Sequence, residues 1–174
     1  MLIRRAEARA VRRLLALVVL VLAGSVPTQA QARRECRVTR VSDGDTFRAA
    51  CPEAVRVRLL LVDSPERDQP PFSARARAEL ARLLPPGTPV TLELDLRTRD
   101  QYGRLLAYAF LRDGRMVNEE MVRSGFAVVL VYPPNVRYVE RIRARAAEAR
   151  AARRGLWAVD GFACAPRDHR GRRC

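Results

Sequence analysis

The sequence predicts an α+β fold: a small closed or half-closed β-barrel with helical additions. An open α+β sandwich is the alternative that pattern alone leaves. Three observations lead there. Apolar periodicity marks three short strands, a helix, two strands and two further helices, in that order. Asp-Gly pairs at 43–44 and 113–114 supply tight turns. No repeat and no interdomain linker divides the chain, and 174 residues suffice for one ordinary domain.

Asp43-Gly44 reads as a two-residue type I′ loop joining strands at Arg37–Ser42 and Thr46–Ala50. A third strand covers Val55–Val62, with Val55, Val57, Leu59 and Leu61 on one face and Arg56 and Arg58 on the other. Pro65, Pro70 and Pro71 break the chain into a loop. Ser73 is a candidate N-cap for a helix that stops at Pro85-Pro86, with Ala76, Leu80, Leu83 and Leu84 inward. Strands are expected at Val90–Leu96 and Leu105–Leu111, separated by a polar loop at Arg97–Gly103. A short helix covers Val117–Arg123 and ends at Gly125, and Ala127–Val131 is a brief apolar run. Asn135 caps a long helix to Arg153, with Val139, Ile142, Ala146 and Ala149 on its buried stripe.

The chain carries 33 basic residues, all Arg, against 19 acidic ones, a net charge of +14. That balance suggests a polyanionic partner, and a hydrophobic content of 48% excludes a disordered polycation. The first 32 residues have the order of a secretory signal peptide: an Arg-rich start, the apolar run Leu14–Gly24, then the A-x-A site Ala30-Gln31-Ala32. As a helix the apolar run spans only ~16 Å of a ~30 Å bilayer core, which argues against an anchor. The exported chain, periplasmic or secreted, keeps a charge of about +10 and no stable membrane association. It divides into a domain over 33–160 and a basic tail over 161–174, expected to be solvated. A monomer is expected.

All four cysteines lie in the exported part, which suggests disulfides. Zinc is disfavoured, since no C-x-x-C occurs and His169 is the only histidine. A two-residue loop at 43–44 places Cys36 directly opposite Cys51, within bridging range. Cys164–Cys174 follows by elimination.

Acidic residues cluster where a basic protein has little reason to place them. Asp43 and Asp45 flank Gly44, Asp63 and Glu66 bracket Ser64-Pro65, and Asp100 lies in the later loop. If the first three strands are neighbours, Asp45 and Asp63 converge on one hard cation such as Ca²⁺. Arg58 and Arg104 together would hold a phosphate and stabilise a five-coordinate phosphoryl transition state. A metal, a carboxylate and two Arg suit in-line phosphodiester hydrolysis. No P-loop is present, so an NTPase is not indicated.

Val41-Ser-Asp-Gly-Asp-Thr-Phe47, Val57-Arg-Leu-Leu-Leu-Val-Asp-Ser-Pro-Glu66 and Thr98-Arg-Asp-Gln-Tyr-Gly-Arg104 closely resemble the staphylococcal nuclease family, as do the later blocks Asp113–Asn118, Val131–Asn135 and Arg154–Trp157. The resemblance covers residues 37–157 and implies a five-stranded OB-type barrel with three helices. It implies a Ca²⁺-dependent phosphodiesterase acting on DNA and RNA, cleaving on the 5′ side of phosphorus to leave 3′-phosphates. Asp45 and Asp63 would be the metal carboxylates, with the Ser64 carbonyl as a further ligand. Glu66 would be the general base or water-orienting group, and Arg58 and Arg104 would bind the scissile phosphate. Tyr102 and Tyr132 would contact the nucleotide. Gln101 stands at a usually basic position, and Leu130 replaces an aromatic of the base pocket. The rival reading is a catalytically inactive OB-type module that binds nucleic acid without cutting it.

Overall fold

The structure, a computed structural model, describes residues 32–174; the expected signal peptide at 1–32 lies almost wholly outside the described residues. The elements are β1 (Arg33–Val41), β2 (Thr46–Cys51), β3 (Glu53–Leu59), β4 (Val62–Asp63), α1 (Phe72–Leu83), β5 (Pro89–Arg99) and β6 (Leu105–Leu111), then α2 (Val117–Arg123), β7 (Val128–Val129), α3 (Val139–Ala151), a 3₁₀ turn (Gly155–Val159) and α4 (Pro166–Arg170). Five strands close into a barrel in the order β1-β2-β3-β6-β5. Among the described residues, only β3 and β6 pair in parallel. The closed OB-type barrel expected from the sequence is therefore present, and one short helix joins the three substantial ones. No helix among the described residues is long and apolar enough to cross a membrane.

Strand alternation builds the interior. Phe47, Val57, Leu59, Leu92, Leu105 and Ala107 are fully buried within it, and each large apolar side chain so placed is worth about 1.5–3 kcal/mol. Ala76, Leu80, Leu83 and Leu84 seal α1 onto this core as expected. A buried carboxylate, Glu93 on β5, is satisfied by Arg33 (2.9 Å), Arg137 (2.8 Å) and the Tyr138 hydroxyl (2.7 Å). It ties the barrel to the segment leading into α3.

Several local expectations are corrected. The first turn is not a two-residue I′ loop, because neither Asp43 nor Gly44 has a positive φ. Val41 pairs with Phe47, and the Ser42 and Asp43 amides both donate to the Thr46 carbonyl. A bulge between Val38 and Arg40 then restores the expected register, with Arg37 opposite Ala50. Cys36 and Cys51 are therefore bridged, their Cα atoms 4.4 Å apart, and Cys164 is bridged to Cys174.

β3 ends at Leu59, three residues early, because Leu61 adopts φ 62° and turns the chain. Val62 and Asp63 then pair with Val129 and Val128. β5 continues to Arg99, into the expected loop. Ser73 caps nothing; α1 starts from Pro71. Asn135 does not cap α3, which starts from Tyr138. The Asn135 side-chain amide is buried and pairs with both backbone groups of Arg97 (2.8 and 2.7 Å), so it faces β5 and not the helix start. On α3 itself, Ile142 and Ala149 are buried, and Val139 and Ala146 pack partly against the core.

Glu93→Ala should cost about 1.5–3 kcal/mol in urea unfolding, since the Arg137 guanidinium and the Tyr138 hydroxyl lose a buried, charged partner while Arg33 can turn to solvent. A loss below about 1 kcal/mol would show that this carboxylate does not fasten the barrel.

Candidate active site

The early end of β3 builds the centre of the site. Because the chain turns at Leu60-Leu61, Arg58 can reach forward, and its Nη1 donates to the carbonyls of Leu59 (2.6 Å) and Val62 (2.7 Å). Its Nη2 then lies 3.2 Å from Asp45 Oδ2 and 3.2 Å from Asp63 Oδ1. One half-buried guanidinium thus holds two buried aspartates side by side. Asp45 also accepts from the Ser64 amide (3.0 Å) and hydroxyl (3.1 Å) and from the Thr46 hydroxyl (3.1 Å).

Gly44 is required by this closure. A Cβ there would lie 2.6 Å from the Ser64 Cβ and 2.7 Å from the Ala76 Cβ. Only a residue without a side chain lets the turn between β1 and β2 press against the 64–66 loop and α1.

The second half comes from the 100–104 turn. Asp100 Oδ1 accepts from the amides of Tyr102 (2.9 Å) and Arg104 (3.0 Å). Its Oδ2 takes the Arg104 Nε at 2.6 Å. Arg104 Nη1 is 3.5 Å from the Thr46 hydroxyl, which neighbours Asp45, and the guanidinium lies 5.4 Å from the centre of the Tyr102 ring. Tyr102 and Tyr132 are exposed on the rim, and Leu130 is buried in the wall.

These groups line one cleft of about 740 Å³. Asp45, Arg58, Ser64, Glu66, Tyr102, Arg104 and Tyr132 all reach its wall. Asp63 does not; it is 1% exposed and covered by its partners. Among the described residues no three acidic, His or Cys side chains form a ready-made metal cage.

The residue that sequence reasoning missed is Arg170. Its Nη1 donates to Asp63 Oδ1 (3.0 Å) and to Glu66 Oε1, and its Nη2 to Asp63 Oδ2 (2.8 Å). The expectation of a solvated tail is therefore corrected. The tail packs Phe162 against Trp157, ring centres 4.7 Å apart, and its Cys164 carbonyl accepts from Gln69 at 3.1 Å. The available signal was the Cys164–Cys174 bracket, since a closed loop has far fewer conformations than a free tail.

Electrostatics separate the carboxylates. Burial and the neighbouring Asp45 charge push Asp43 up to about 6. Burial would raise Asp45 too, but Arg58 and the Ser64 amide outweigh it and hold its carboxyl below the usual range. Burial leaves Asp63 above its ordinary value despite hydrogen bonds from Arg170 and the charge of Arg58. For Asp100, burial is outweighed by hydrogen bonds from Arg104, and its carboxyl is held low.

The chain matches one family model and several known proteins. The family model described as staphylococcal nuclease homologue matches residues 56–159. Endonuclease YncB of Bacillus subtilis is 36% identical over 131 residues, covering 71% of this chain and 61% of the relative. The SPbeta prophage-derived endonuclease YokF of the same organism is 35% identical, over 71% of this chain and 44% of the relative. The chain thus spans only about half the length of these two relatives. Thermonuclease of Staphylococcus hyicus is 34% identical over 127 residues, 70% of this chain and 74% of that protein.

The raised carboxyl of Asp43 has a sign that can be checked. Between pH 3.8 and about 6 the native protein keeps a proton that the unfolded chain has released. Stability from Asp43 is therefore present at acid pH and lost as pH rises through about 6. In chelator, the stability of Asp43→Asn relative to the unaltered protein should grow from pH 4 to pH 7, measured by urea unfolding. A difference independent of pH would contradict this assignment.

Proposed function

Since the chain belongs to the staphylococcal nuclease family, we propose that it is an exported, Ca²⁺-dependent phosphodiesterase that hydrolyses DNA and RNA, breaking the 5′ P–O bond to leave 3′-phosphates. The observation that carries this reading is one cleft joining Asp45, Arg58, Ser64, Glu66 and Arg104. Export is supported by two disulfides and by the leader-like order of the first 32 residues.

A polymeric substrate is supported by the barrel exterior. Arg40 on β1, Arg48 on β2 and Arg56 on β3 lie directly opposite one another across three neighbouring strands. All three are exposed, and none has a carboxylate partner among the described residues. Like charges so placed repel, and a phosphodiester backbone relieves that repulsion. Arg56 is two residues from Arg58 on the same strand, so the track leads towards the cleft.

For a divalent cation the donors fit: Asp45, Asp63 and the Ser64 carbonyl are hard oxygen ligands, and the Arg170 guanidinium already stands in as a cation on Asp63 and Glu66. When bound there, the ion would supply charge neutralisation and polarisation of the phosphoryl oxygens. The protein's own groups do the rest. Arg104 orients the phosphate and takes up the charge that builds on its oxygens in the transition state. Arg58, whose Nη hydrogens are engaged by Leu59, Val62, Asp45 and Asp63, joins it once the two aspartates are taken over by a divalent ion. Glu66 accepts a proton from the attacking water as the new P–O bond forms and the P–O5′ bond in line with it breaks, the O5′ taking a proton from solvent water to leave as the 5′-hydroxyl.

One observation favours the non-catalytic alternative: Asp63 and Glu66 are both engaged by Arg170. Incubating the protein with DNA in Ca²⁺ or in chelator separates the two readings. Cleavage in Ca²⁺ alone is expected. Intact DNA in both, together with a gel shift, would establish the binding module.

Glu66→Gln should lower kcat by about 10²–10⁴-fold while changing substrate binding little. Equal losses in both would remove Glu66 as the base. Arg48→Glu should weaken binding of a long single strand about tenfold and leave a dinucleotide unaffected; equal effects on both would dismiss the arginine track.

A further inference from the structure

Arg170 lies outside the matched family region, which ends at residue 159. Yet it makes the closest contacts to Glu66 in the cleft wall and to Asp63 behind it. We infer that Arg170 is a built-in cation that must vacate Asp63 and Glu66 before a divalent ion binds at this site, and that the Cys164–Cys174 loop keeps it within reach. The inference rests on the metal-dependent reading above.

The geometry of Asp63 carries it. Its Oδ2 is taken by Arg170 Nη2 at 2.8 Å. Its Oδ1 is shared by Arg170 Nη1 at 3.0 Å and Arg58 Nη2 at 3.2 Å. A carboxylate offers about four lone-pair directions, and the two on Oδ1 are both spent on guanidinium groups. Asp63 is 1% exposed and does not line the cleft, whereas Arg170 does. A metal ion entering from the cleft therefore meets Arg170 first. The same Nη1 holds Glu66, so the carboxylate assigned to proton transfer is engaged as long as the arginine stays.

Arg58 cannot be the group that yields, because its Nη1 is fixed on two backbone carbonyls. Arg170 can. Its side chain is 37% exposed, against 13% for Arg58, so it can turn into water without opening the core. It also remains nearby when displaced. It sits inside the loop closed by Cys164 and Cys174. That loop is docked on the 66–69 segment through Gln69 to the Cys164 carbonyl (3.1 Å) and His169 to Asp68 (2.9 Å). A tethered competitor acts at high effective concentration.

Linkage requires reciprocity: the factor by which Arg170 weakens the ion is the factor by which the ion loosens the tail. Calorimetric titration of the intact protein with Ca²⁺ reads the first, and hydrogen exchange in residues 161–174 reads the second. Arg170→Ala should tighten Ca²⁺ binding by about tenfold, and Ca²⁺ should speed exchange in the tail of the unaltered protein. Without Ca²⁺ the variant should melt at a lower temperature, and saturating Ca²⁺ should close that gap. The double change Cys164→Ser and Cys174→Ser keeps the arginine but frees the loop, and should also tighten Ca²⁺ binding, which provides a second test should Arg170→Ala fail to fold. Equal Ca²⁺ affinity in all three proteins, or a melting gap unchanged by Ca²⁺, would make Arg170 a structural residue and overturn the inference alone. Absence of Ca²⁺ binding in all three would overturn it together with the metal-dependent reading.

Discussion

Everything at the cleft depends on where a single guanidinium sits. Arg58 bridges Asp45 from the first hairpin and Asp63 from the strand beyond its own, and it is pinned by two backbone carbonyls. Two buried like charges at this proximity would otherwise repel and protonate. The shared arginine fixes their separation and holds the Asp45 carboxyl low, while burial leaves Asp63 raised. Its reach exists only because the chain reverses at Leu61, a left-handed conformation that a branched residue adopts at a cost. The buried packing of Leu60, Leu61 and Val62 offsets that cost.

The barrel explains why these residues meet at all. Asp45 leaves the turn between β1 and β2, Arg58 lies on β3, and Arg104 enters β6 beside β3. The parallel pairing of β3 with β6 sets Arg58 opposite Leu106, two residues from Arg104. Closure of the barrel thus converts three distant stretches of sequence into one wall. The strands supply rigidity, and the loops at that end supply the polar groups.

Much of this was legible in the sequence, for identifiable reasons. The strand periods suggested a barrel and left an open sandwich as the alternative, the family resemblance selected the closed OB-type barrel, and the acidic turns marked residues that the structure brings to one end of it. The Cys36–Cys51 pairing came out right although the assumed turn was wrong: a bulge near Thr39 compensates for a loop one residue longer than expected. Asn135 was misread because its donor and acceptor serve the backbone of Arg97, 38 residues away, and not the helix that follows it. The early end of β3 was hidden because Leu59-Leu60-Leu61-Val62 offers no breaker to read. Arg170 was hidden for a different reason. Its partners Asp63 and Glu66 are more than a hundred residues earlier in the chain, and an Arg-rich tail on a basic protein looks like solvated surface.

The central claim is that Asp45 and Asp63 share a cation while Arg58 and Arg104 share the phosphate next to it. A crystal structure of the protein with Ca²⁺ and a cleavage-resistant phosphorothioate dinucleotide tests it most directly. The expected density places Ca²⁺ on both aspartates and the phosphorothioate within hydrogen-bonding distance of both arginines. A nucleotide seated elsewhere, with Asp45 and Asp63 free of metal, would contradict it.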